Sequence, residues 1–131
     1  MFKEIPHTAD VALYIESTTY KGLFYDAALG LNTISDIELS SENSIYFIIY
    51  KDKANDKESL LVNWLNFLIY QLDNYLYLIS SNIFIYRNSL FSSCYFKKYK
   101  KRNLLIKSAT FHNLNIIKTK NLIHTCIVFD I

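Results

Sequence analysis

The chain has 131 residues and a mass of 15.4 kDa, with 51% apolar and 20% charged residues, which fits one folded domain and excludes a disordered segment. Two glycines and one proline exclude the glycine-rich loops that cradle phosphates, and two cysteines exclude a disulfide framework or a zinc cluster. The net charge of +2 conceals a split: residues 1–73 carry 11 acidic and 5 basic side chains, a net of −6, whereas residues 74–131 carry 1 acidic and 9 basic, a net of +8.

In chain order, Met1-Phe2-Lys3-Glu4 shows no apolar core after its charges, so no targeting peptide is expected and a reduced, cytoplasmic setting is. Val11 to Ile15 reads as a strand. Tyr20, Leu23, Phe24, Ala27, Ala28 and Leu31 form one helical stripe, which predicts a helix from Tyr20 to Asn32 with Ser17, Thr18 or Thr19 as its N-cap. Ser44 to Tyr50 reads as a strand, and Asp52 to Lys57 as a loop. A second helix is predicted from about Glu58 to Asn74. Its stripe of Leu61, Leu65, Leu68 and Leu72, widened by Leu60, Val62, Trp64, Phe67 and Ile69, is apolar over most of its circumference, so it is buried on more than one side. Asn63, Asn66 and Gln71 interrupt it, and it falls short of the ~20 apolar residues of a membrane span.

Asn82 to Tyr86, Leu90 to Tyr99, Ala109 to Ile117 and Leu122 to Phe129 are rich in β-branched and aromatic residues and read as strands, with Lys118 to Asn121 as a hairpin turn. Strands following one another without intervening helices imply antiparallel pairing. The expected fold is α+β: one compact domain over 1–131, a mainly antiparallel sheet packed with two helices.

Five basic residues cluster as Lys97, Lys98, Lys100, Lys101 and Arg102, interleaved with Tyr99 and preceded by Tyr95 and Phe96. The cluster reads either as a solvated hairpin tip or as a contact for RNA or an acidic protein face. Ile, Asn, Lys, Tyr and Phe, all with A/T-rich codons, make up 61 of the 131 residues, which lowers the functional weight of its lysines and tyrosines.

Catalytic patterns are scarce. No nucleophile elbow occurs, and His7, His112 and His124 lie far apart in sequence. Cys94 and Cys126 sit in apolar strand patterns, without zinc-ligand spacing. Two carboxylates stand out: Asp10 at the head of the first strand and Asp130 at the end of the last, the only acidic residue after Asp73, with the carboxylate of Ile131 beside it. If those strand ends meet, the anions need a counter-charge, which either Lys107 or a hard divalent cation would supply. The alternative is a turn or cap role for Asp10 and an exposed strand end for Asp130.

Several strings together resemble the archease family: His7-Thr8-Ala9-Asp10, Tyr25-Asp26-Ala27-Ala28-Leu29-Gly30-Leu31, Leu60-Leu61-Val62-Asn63-Trp64-Leu65-Asn66, Lys107-Ser108-Ala109-Thr110-Phe111-His112 and Val128-Phe129-Asp130-Ile131. They occur in the family's order and span nearly the whole chain. The chain departs from the pattern at Phe67, where Glu is common, at Lys97 to Arg102, where the family has an acidic, proline-containing loop, and at Asn113, which replaces a glycine.

The resemblance implies a small cytoplasmic protein that is not an enzyme. It would activate the GTP-dependent RtcB-type RNA ligase of tRNA splicing and RNA repair, by promoting guanylylation of the ligase's active-site histidine. It also implies a bound divalent metal, calcium with magnesium or manganese as alternatives, held by Asp10, Asp130 and Ile131. Asp10, Lys107 and Asp130 would act on the partner, His7 and His112 would orient neighbours, and RNA would be met indirectly or weakly. Two other readings stay open: a nucleic-acid-binding module using Lys97 to Arg102, and a small hydrolase with a carboxylate–metal site.

Overall fold

The computed structural model describes residues 1–5 and 10–131, which form nine strands and two helices. β1 (Phe2–Ile5) and β2 (Val11–Ser17) lead into α1 (Tyr20–Ser35). β3 (Ile37–Leu39) and β4 (Tyr46–Lys53) precede α2 (Lys57–Asp73). The long β5 (Leu76–Tyr86) and β6 (Ser89–Arg102), then β7 (Ser108–Thr110), β8 (Ile117–Lys118) and β9 (Ile123–Asp130) complete the chain. All strand pairs are antiparallel. One sheet runs β1-β2-β9-β7 with β8 also on β9; the other has β6 at its centre, paired with β3, β4 and β5. The α+β expectation holds.

α1 packs on β2 and β5, and α2 on β7, β5 and β4, so both helices bridge the two sheets around one core. That position explains why α2 is apolar nearly all round. Trp64 is fully buried, and its indole N–H donates to the Phe24 carbonyl at 3.0 Å, tying α2 to α1. Thr19 caps α1 by accepting from Gly22 N–H at 3.0 Å, and Asp56 caps α2 by accepting from Ser59 N–H at 2.7 Å. At Gly30, α1 approaches β2 so closely that a Cβ would stand 2.5 Å from a Leu13 methyl.

Several expectations change. The loop expected from Asp52 to Lys57 shrinks to 54–56, because Asp52 and Lys53 continue the ladder of β4 with β6 and Lys57 opens α2 after the Asp56 cap. α1 continues three residues past Asn32 because no breaker intervenes before Asp36, whose left-handed backbone ends it. Leu76 to Ser81 belongs to β5; Tyr75, at φ 65°, turns the chain out of α2 and straight into the strand. Ala109 to Ile117 is not one strand: a turn closed by Leu114 N–H on the Phe111 carbonyl, with Asn113 at φ 50°, separates β7 from β8. Asparagine tolerates that left-handed position, which suits it to the place of a glycine. The basic segment is no hairpin tip and no loop. Lys97 to Arg102 continue β6, pairing with β5 and then β3. Phe96 and Tyr99 are both buried, so neither ring can stack on a base. The hairpin turn lies at 119–122, one residue later than expected because Lys118 pairs with Ile123 in β8, and Thr119 N–H donates to Leu122 O at 2.8 Å.

Phe67, the departure inside α2, has a packing role. Its ring stacks on Tyr50 at 4.4 Å between centroids and meets Phe96 edge-on at 6.2 Å. The Tyr50 hydroxyl is pushed above its ordinary pKa, first by burial and then by the Asp52 carboxylate beside it.

Candidate functional site

The register of β2 against β9 pairs Val11 with Phe129 and Ala12 with Val128. Asp10 and Asp130 are the next residues outward on each strand. Paired strands run about 5 Å apart, so the two aspartates flank one strand-end rim. Asp10 is half-buried; Asp130 and Ile131 are exposed. The rim therefore joins opposite ends of the sequence, as the expectation required.

β7 supplies the other wall. Ser108 pairs with Asp130, and its hydroxyl donates to the Asp130 carboxylate at 3.3 Å. The backbone N–H of Lys107 donates to the Asp130 carbonyl at 2.8 Å, which places Lys107 beside the rim. β7 is only three residues long and is held from both sides. Thr110 Oγ1 donates to the Val128 carbonyl at 2.9 Å. From α2, Asn66 accepts from Ala109 N–H at 2.7 Å and donates to its carbonyl at 3.4 Å. Asn66 thus holds the strand that begins at Ser108, directly after Lys107.

Neither Asn66 nor Ser108 stood out in the sequence as a site residue. The one available signal was a polar amide within an almost wholly apolar helix; its partner lies 43 residues away and appears only in the fold.

His7 lies outside the described residues. His112 stands beyond the end of β7, four residues past Ser108, with its Nε2 3.4 Å from Asn113 Nδ2 and its backbone N–H on Thr110 Oγ1. His124 is on β9 in register with Glu16, six residues from Asp130, its ring near Tyr14. Cys94 is fully buried, and burial pushes both thiols up in pKa. Among the described residues no three His, Cys, Asp or Glu side chains gather as a metal-binding group. At the rim, two aspartate side chains and main-chain or terminal oxygens are the donors at hand. This all-oxygen set suits a hard divalent cation and not zinc.

The basic segment is spread over several contacts. Arg102 is paired with Asp73 at 2.6 Å, and Lys98 lies 3.9 Å from Glu42 and over the Tyr46 ring. A groove of about 290 Å³ runs between Asp73, Tyr75 and residues 99–102.

A sequence profile of the archease protein family (MTH1598/TM1083) matches residues 2–131, and the chain belongs to that family. Two solved structures share the fold. An archease from Thermotoga maritima, described as a possible chaperone, is 25% identical with a TM-score of 0.72, over 98% of this chain and 96% of that one. Protein 1598 of Methanobacterium thermoautotrophicum is 19% identical with a TM-score of 0.70, over 99% of this chain and 98% of that one. No curated protein sequence matches the chain. Among the described residues, no helix is long and apolar enough to cross a membrane.

Proposed function

We propose that this protein is a non-enzymatic, cytoplasmic activator of a GTP-dependent RtcB-type RNA ligase, promoting guanylylation of the ligase's active-site histidine in tRNA splicing and RNA repair. The observation that carries the reading is the β2–β9 register, which gathers Asp10, Asp130 and Ile131 of an archease chain at one rim. The Thermotoga relative's description as a possible chaperone is in keeping with a role exercised on another protein.

A divalent cation, calcium with magnesium or manganese as alternatives, would be held by the carboxylates of Asp10, Asp130 and Ile131. When bound, it would offset negative charge on the ligase's nucleotide. The rest falls to the chain itself. The Ser108 hydroxyl orients Asp130. Lys107 adds a positive charge beside the rim, suited to a phosphate. Asn66 holds the strand that Ser108 opens, directly after Lys107. An exposed rim suits presentation to a partner's pocket better than hydrolysis, which favours a walled, apolar cleft. The ligase, in this reading, selects the RNA.

The test is the yield of guanylylated ligase from labelled GTP, with the natural protein and with Asp130→Ala. Asp130 is exposed, so the variant keeps its fold. Stimulation is expected to fall to the level of ligase alone; undiminished stimulation defeats the proposal.

A further inference from the structure

α2 covers one face of the β4–β6–β5 sheet through Tyr50, Trp64, Phe67 and Phe96. Alternation sends the odd-numbered residues of β4, and of β6 as far as Tyr95, to the opposite face. That face is markedly apolar and exposed. Phe84 and Tyr86 of β5 are each 73% exposed, Phe47 of β4 is 54% and Phe91 of β6 is 42%. Phe84 pairs directly with Phe91 across the strands, and the Phe47 ring lies 5.2 Å from that of Tyr95. Small polar residues, Asn82 and Ser93, separate the two aromatic groups.

Charge on this face has one sign. Lys51 lies over the Phe91 ring at 5.7 Å, Arg87 over Tyr86 at 5.4 Å, and Lys53 is exposed on the same row as Ser89. No Asp or Glu occupies an outward position of the three strands. Asp52 borders the groove of about 520 Å³ here, yet it accepts from Asn63 of α2 at 2.9 Å on the covered side.

We propose that this outer face binds single-stranded RNA, with bases stacked on Phe84, Phe91 and Tyr86 and phosphates met by Lys51, Lys53 and Arg87. Exposed rings on an open sheet offer stacking to any base, and cations around them hold the backbone. A second copy of this chain is disfavoured, because face-to-face packing would set the same lysines against one another. The inference stands apart from the carboxylate rim, so either reading can fail without the other.

The test is fluorescence anisotropy of a labelled oligouridine of about a dozen nucleotides, with the same strand in duplex as comparison. Binding is expected to the single strand, at least about tenfold tighter than to the duplex. It should weaken about tenfold or more between about 50 and 200 mM salt. Phe84→Ala with Phe91→Ala should weaken it about tenfold or more, and Lys51→Gln with Lys53→Gln should flatten the salt dependence. Lys100→Gln with Lys101→Gln, on the β6 extension, should change it less than about twofold. All these positions are exposed, and circular dichroism checks the fold of each variant. Three results overturn the proposal: no binding of the single strand, binding undiminished by the phenylalanine changes, or sedimentation showing a dimer that those changes dissociate.

Discussion

Trp64 shows how much one residue does in this fold. It fills the space between the helices, faces Tyr50 and Phe67, and satisfies its only polar atom on the Phe24 carbonyl. Trp64→Phe removes the donor and part of the ring, and is expected to cost about 2–4 kcal/mol in urea unfolding. A loss under about 1 kcal/mol would mean that the site repacks freely. The leucine stripe made Trp64 legible as core. Asp10 and Asp130 were legible too, because each is a carboxylate at the end of an apolar strand. Asn66 and Ser108 were not: a side chain's hydrogen-bond partner across 22 or 43 residues is set by the fold alone.

Among the elements, α2 carries the clearest pH prediction. Its N-cap Asp56 accepts a backbone hydrogen bond from Ser59, which lowers the carboxyl's pKa in the folded state. The unfolded chain therefore takes up the proton first. The cap's contribution is complete above the ordinary aspartate range, near pH 4, and is lost as pH falls through that range and below it. Asn caps a helix without titrating. Urea midpoints of Asp56→Asn are thus expected to fall less steeply with acidification than those of the natural protein; parallel curves would contradict this. Helix positions were readable because the 3.6-residue stripes are long. β1 and β3 were not, since four and three residues with charges at Lys3, Glu4 and Glu38 show no apolar period. β6 was cut short at Tyr99 because Lys100, Lys101 and Arg102 resemble a loop until their pairing with β3 is seen.

For the whole molecule, the central feature is that strands from opposite ends of the sequence pair and bring their ends to one end of a sheet. β2 and β9 occupy the middle of the first sheet, so the rim sits at the end of a largely buried strand pair. The two proposed surfaces are separate: carboxylates at the end of one sheet, aromatic rings and cations on the outer face of the other. That division explains how a chain with a net charge of only +2 presents both a negative rim and a positive platform. The most direct check of the activator role is the number of RNA-joining cycles completed per ligase molecule with GTP supplied in excess. The account predicts many cycles with the natural protein, and no more than the unassisted ligase achieves with Asp10→Asn or Asp130→Ala. A cycle count that the natural protein leaves unchanged would contradict it.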